Sequence, residues 1–255
     1  MALTFPLSLT DFWGKLPIAS FTFELGESVN TSKTAAGEVI VADLGSRLWS
    51  GSAILTPQYN EDAAATAALI SVLRQGGRYF FAVPAHHPAP TSDPDGSVLT
   101  AFIAQQPTLS LNFGANSYGI DPSGTGSPAI ASLSSDGRSL SITGLPAGYV
   151  LSPGDFLSFT YLSSPTRYAL HQIVGGATAD STGTTALMEV TPSIRTGAAV
   201  GSPVTLVNPY MKAIVTPGRG KMGVSSGIIT GSYESRAGIS RGSMFSTFDF
   251  MQTLR

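Results

Sequence analysis

The sequence predicts a mainly β protein, and three observations carry the prediction. Glycine (28) and proline (17) together make about 18% of the 255 residues, against a usual share of about 12%. They cut the chain into short segments bounded by turns. Several of those segments alternate side chains with a period of two, and a single stretch carries helical spacing.

Residues Ile18–Leu25 put Ala19, Phe21, Phe23 and Leu25 on one face and Ile18, Ser20, Thr22 and Glu24 on the other, as in a half-buried strand. Strands follow at residues 37–44, around Val39-Ile40-Val41, and at 47–55, where Trp49 is the expected core anchor. The spacing then predicts a helix over 61–75. Asn60 stands as N-cap, Glu61 and Asp62 sit at the positive end of the helix dipole, and Gly76-Gly77 stops the helix. Ala65, Leu69, Val72 and Leu73 share one face, with Leu69, Val72 and Leu73 expected to pack on a sheet. A strand at 78–83 ends at Pro84. Residues 84–100 and 113–138, rich in Pro, Gly, Ser and Asp, are expected to be mostly loop. Further strands are expected at 108–112, 139–143, 156–162, 167–173, 185–190 and 204–207. Pro153-Gly154-Asp155, Gly175-Gly176 and Asp180-Ser181-Thr182-Gly183 mark turns between them. About five short strands within some 80 residues suggest a small barrel or sandwich. A Gly/Ser/Arg-rich loop at 216–242 precedes a last alternating strand at 244–251.

Composition removes whole classes of function. Only 12% of residues are charged and 42% are hydrophobic, which excludes classical disorder. The net charge of −2 argues against a polybasic nucleic-acid binder. With no cysteine, neither a disulfide framework nor a cysteine zinc site is available. The first ten residues lack the basic and apolar regions of a signal peptide, and no run approaches the ~18 apolar residues of a membrane-spanning helix. So few charges suit a surface buried between subunits. Charge is also uneven. Residues 1–62 carry three basic against seven acidic side chains and residues 212–255 carry six against two, which suits head-to-tail packing of identical subunits or pairing of the two ends within one.

No motif nominates an enzyme. His86-His87 with Asp93 and Asp95 offers metal-binding atoms, but adjacent residues rarely face one ion and a solvated Pro-rich loop is expected. His171 lies in an apolar strand and is read as structural. No G-x-S-x-G elbow is present, and no carboxylate pair stands out for sugar chemistry. Gly218-Arg219-Gly220-Lys221 lacks the rest of a phosphate loop, and Asp180-Ser181-Thr182-Gly183 reads as a hairpin turn rather than a calcium loop. The expectation is no catalytic, cofactor-binding or metal-ligating residue and no cofactor.

The order of segments carries a resemblance. Arg47-Leu48-Trp49-Ser50-Gly51, then Leu55-Thr56-Pro57, then a helix ending Leu73-Arg74-Gln75-Gly76-Gly77-Arg78, then Tyr79-Phe80-Phe81-Ala82-Val83-Pro84 resembles the N-terminal domain of tail proteins of long-tailed bacteriophages. Leu151-Ser152-Pro153-Gly154-Asp155-Phe156, the strand from Tyr168 to Val174, the turn from Ala177 to Gly183, Val190-Thr191-Pro192-Ser193-Ile194-Arg195 and Val204-Thr205-Leu206-Val207-Asn208-Pro209 resemble later segments of the same proteins. The likeness covers about residues 16–84 and 145–215. Gln75-Gly76-Gly77-Arg78 departs from the compact Gly-Arg of the pattern, and the loop at 85–138 has no counterpart.

The resemblance to the distal tail protein, a tail-tube-like minor tail protein, implies a β-sandwich or barrel with one flanking helix and an inserted small β-barrel. Residues 1–130 and 211–255 would form the ring domain and residues 131–210 the insert. It implies a non-enzymatic virion protein, assembled in the host cytoplasm into a hexameric ring. That ring would join the tail tube to the baseplate hub and tail fibre proteins and let DNA pass without specific nucleic-acid binding. The loop at 26–38 and the arm at 216–242 are the candidates for contacts between subunits or rings. Alternatives are a tail tube or minor tail subunit, a peptidoglycan hydrolase, and a carbohydrate-binding tail-tip module. The last would need an exposed aromatic platform drawn from Tyr149, Phe156, Phe159, Tyr161 and Tyr168.

Overall fold

The structure, a computed structural model, describes residues 3–43, 45, 47–56, 60–84, 88–105, 110–113, 116–119, 127–162, 164–216, 222–224 and 244–254. Its elements in chain order are β1 (Ile18–Leu25), β2 (Val29–Lys33), β3 (Val39–Asp43), β4 (Trp49–Leu55), α1 (Asn60–Leu73), β5 (Phe80–Ala82), α2 (Ser97–Gln105), β6 (Ser110–Phe113), β7 (Asn116–Gly119), β8 (Ala129–Leu133) and β9 (Ser139–Thr143). They continue with β10 (Val150–Leu151), β11 (Phe156–Tyr161), β12 (Arg167–Ile173), β13 (Ala177–Thr178), β14 (Met188–Thr191), β15 (Val204–Thr205), β16 (Met211–Val215), β17 (Met222–Val224) and β18 (Met244–Gln252). With 39% strand against 11% helix, the protein is mainly β.

The chain divides into two compact units, residues 1–82 with 212–253, and residues 83–211 with 254–255. The first unit is built on a sheet of order β1-β4-β18-β16-β5, with β17 paired to β18. Alternation sets its buried face. Phe248 and Phe250 are buried while Asp249 between them is half-buried and Met251 is exposed. Phe12 and Trp13, in a segment without strand periodicity, complete an aromatic cluster. Trp13 lies 5.2 Å from Phe250 and 5.6 Å from Phe21, and Phe12 lies 5.0 Å from Phe80, ring centre to ring centre. Trp49 anchors the core as anticipated, stacked on Phe23 at 4.8 Å. Gly51 stands between Phe23 of β1 and Phe250 of β18 in the register, where the missing side chain makes room for the rings. The helix packs against β18 with Ile70 and Leu73 buried. Leu69 and Val72 are only half-buried and Ala65 is exposed, so the inward face is rotated from the expected one toward Ile70.

The second unit holds a six-stranded antiparallel sheet of order β15-β11-β12-β14-β9-β8. Its ends meet. Ala129 bridges Pro203, the Ile130 amide donates to Ser202 O (3.0 Å), and the Val204 amide donates to Pro128 O (2.7 Å). The sheet is therefore a nearly closed barrel around Ile130, Leu140, Ile142, Leu151, Leu157 and Phe159, among others. Two expectations are corrected here. A second helix, α2, starts inside the segment read as loop, and β8 occupies another. The boundary expected at 130/131 also differs from the observed division by residues 83–130, which go with the barrel. Leu99 of α2 belongs to the barrel core, and Thr91 and Ser92 hydrogen-bond to Asp155 and Val150.

Candidate functional site

Among the described residues, the β2–β3 hairpin of the first unit exposes a run of three apolar side chains. Its strands pair Thr31 with Val41, Ser32 with Ile40 and Lys33 with Val39, and among the described residues they pair with no other strand. Thr34 closes the turn. Its amide donates to Glu38 O (2.9 Å), its hydroxyl accepts from the Glu38 amide (3.1 Å), and Gly37 supplies the positive φ of 86°. Val39 (51% exposed), Ile40 (52%) and Val41 (60%) place apolar side chains on both faces. A lone two-stranded ribbon is marginal in water, and an uncovered apolar edge invites pairing. The sequence located β3 by its β-branched run, but residues 26–38, expected to be loop, hold β2, and the bareness of both faces was not legible.

The residues with chemical potential fall elsewhere. His86 and His87 lie outside the described residues, as do Gly218 to Lys221 and most of the 216–242 arm. Asp95 is exposed. Asp93 is buried and serves as a cap, its carboxylate accepting from the amides of Val98 (3.2 Å) and Leu99 (3.0 Å) at the start of α2 and from the Tyr149 hydroxyl (3.3 Å). Burial, then the Asp93 carboxylate, hold the Tyr149 phenol above its usual range. Asp155 is fully buried and accepts from the Thr91 amide (2.9 Å) and hydroxyl (2.7 Å) and the Ser152 amide (2.8 Å), which fastens the segment before α2 to the barrel. Each acid thus accepts three hydrogen bonds from the protein.

Asp180 is likewise occupied. Its Oδ1 accepts from the Thr182 hydroxyl (2.6 Å) and amide (2.8 Å) and the Thr184 amide (3.0 Å), and these donors, the hydroxyl first, hold its pKa down. It is a turn former. Among the described residues, no three His, Asp or Glu side chains gather as a metal site would require.

The aromatic platform is absent. Tyr149, Phe156, Phe159 and Tyr161 are all buried, and Tyr168 is half-buried with its ring 6.0 Å from that of Tyr210. Period-two alternation in β11 explains Phe159 and Tyr161, which face the barrel interior. His171 is also buried, its Nδ1 2.7 Å from Pro192 O and its ring stacked on Phe159. Neither a protein-family model nor a curated protein matches the chain.

Proposed function

We propose that the protein is a structural component of a long-tailed phage tail, a distal-tail-type subunit. In this reading its first unit is a tail-tube-like domain that closes a hexameric ring between tail tube and baseplate hub, and its barrel is an insert in that domain. The observation that carries the reading is the β2–β3 hairpin. It exposes Val39, Ile40 and Val41 on both faces, as a strand pair completed by a neighbouring copy would. The discontinuous first unit, interrupted in sequence by a barrel, agrees with the order of segments that carries the resemblance. The buried aromatics leave the carbohydrate-binding alternative without the surface it needs.

Light scattering with negative-stain imaging tests the proposal. The expected result is a mass near six times 26.4 kDa and ring-shaped particles. A monomeric mass at high protein concentration, with no rings, refutes self-assembly.

A further inference from the structure

We infer that the acidic, apolar β2–β3 hairpin of one copy docks on a basic, aromatic surface at the opposite edge of the first unit's sheet in the next copy. The inference rests on the reading of the protein as a self-assembling ring and adds to it the surface that receives the hairpin.

Charge is sorted across the first unit. Residues 24–43 carry Glu24, Glu27, Glu38 and Asp43 against Lys33 alone. Glu24, Glu27 and Glu38 are exposed, and none of the three forms an ion pair among the described residues. The hairpin follows β1, one edge of the sheet order β1-β4-β18-β16-β5. The other edge is basic. Residues 63–82 and 211–216, which hold most of α1 with β5 and β16, carry Arg74, Arg78 and Lys212 and no acid. Arg74 is exposed just past the end of α1. The Arg78 guanidinium lies over the Phe5 ring (4.4 Å) and the Lys212 ammonium over the Tyr79 ring (4.2 Å), so two cations and two half-buried aromatic rings share one surface. Asp11, on the segment that bridges to β5 through Leu7, already accepts from the Ser8 hydroxyl (2.6 Å).

The two surfaces stand at the same end of the sheet. Leu25 pairs with Trp49, Met251 with Ser50 and Gln252 with Ala213. The end of β1 that leads into the hairpin is therefore level with the start of β16 that bears Lys212. Four strand spacings of about 4.8 Å separate the two edges by roughly 19 Å. A contact between unlike surfaces on opposite edges repeats by rotation and can close on itself. Val39, Ile40 and Val41 bring apolar area to the Phe5 and Tyr79 rings, while the carboxylates meet the three cations. Apolar contact bordered by opposite charges fixes both partner and register.

The test is light scattering of the full chain over a concentration series, in wild type, Glu27→Lys/Glu38→Lys and Arg74→Glu/Arg78→Glu. Circular dichroism confirms folding, and Arg74→Glu alone, at an exposed position, replaces the second variant if that variant does not fold. Each variant by itself opposes like charges at every contact and is expected to need at least about tenfold more protein to assemble. An equimolar mixture of the two opposes unlike charges instead. It is expected to regain the wild-type threshold, in particles that contain both chains. Wild-type assembly by either variant alone, or a mixture no better than its components, overturns the docking while the ring itself stands. Wild type that never assembles overturns both.

Discussion

Acidification from pH 6.5 to pH 4 is expected to weaken the barrel by about 3 kcal/mol through one side chain, His171. Burial is the main cause and the Arg195 charge adds to it, against the opposing Pro192 hydrogen bond. Together they lower the imidazole pKa from 6.5 to about 4. In the unfolded chain the ring takes up a proton near 6.5, whereas in the folded barrel it resists until about 4. Between those values the unfolded state binds more protons, so falling pH favours unfolding. The contribution is whole above pH 6.5 and gone below about 4. A gap of about 2.5 in pKa, at about 1.4 kcal/mol each, gives the figure. Urea titrations across this window measure it. Tyrosine circular dichroism is the suitable probe, because both tryptophans, Trp13 and Trp49, belong to the first unit. His171→Gln, which does not titrate, is expected to lose about 3 kcal/mol less than wild type over the same window. A difference below about 1 kcal/mol refutes the reasoning.

Asp155→Ala leaves three part-buried donors without their acceptor and is expected to cost about 2 kcal/mol in urea unfolding, while a cost under about 1 kcal/mol would mean that Thr91 and Ser152 find other partners. Gly51→Ala would place a Cβ against Thr22 O and 2.6 Å from Phe250 Cζ, so thermal unfolding of the first unit should show a loss of about 1–3 kcal/mol, and an unchanged melting point would contradict the packing. Replacing Val39, Ile40 and Val41 with serine should alter the stability of a single chain by no more than about 0.5 kcal/mol each, since all three are exposed, yet reduce the assembled mass to that of one chain. Retention of rings by that variant would exclude the hairpin as the contact.

Where a segment's own periodicity meets one packed face, the sequence was sufficient. Ile18–Leu25 and the last strand with Phe248 and Phe250 follow from alternation, whereas the strands found at 156–161 and 167–173 are buried on both faces for much of their length. What local pattern could not reveal is fixed by distant partners. The α2 sequence Ser97–Gln105 has no charge and little periodicity, and its first turn is set by Asp93 reaching the Val98 and Leu99 amides and by Leu99 entering the barrel core. Phe12 and Trp13 are placed by rings from β1, β5 and β18, elements far apart in sequence. The same holds for the sites. Asp93 and Asp155 looked like solvated turn acids, and only their burial and their hydrogen bonds show them to be fasteners.

β18 lies inside the first unit's sheet, between β4 and β16, although it is translated after every other strand of that sheet. During synthesis the barrel, which is continuous from residue 83 to 211, can therefore close while β4 still lacks its second neighbour. Until residues 244–252 leave the ribosome, β4 has an open edge and the Phe12–Trp13 cluster lacks two of its rings. Completion of the first unit's sheet thus waits for residues 244–252. A chain that stops before residue 244 carries the strands of the barrel and a first-unit sheet that lacks its inner strand.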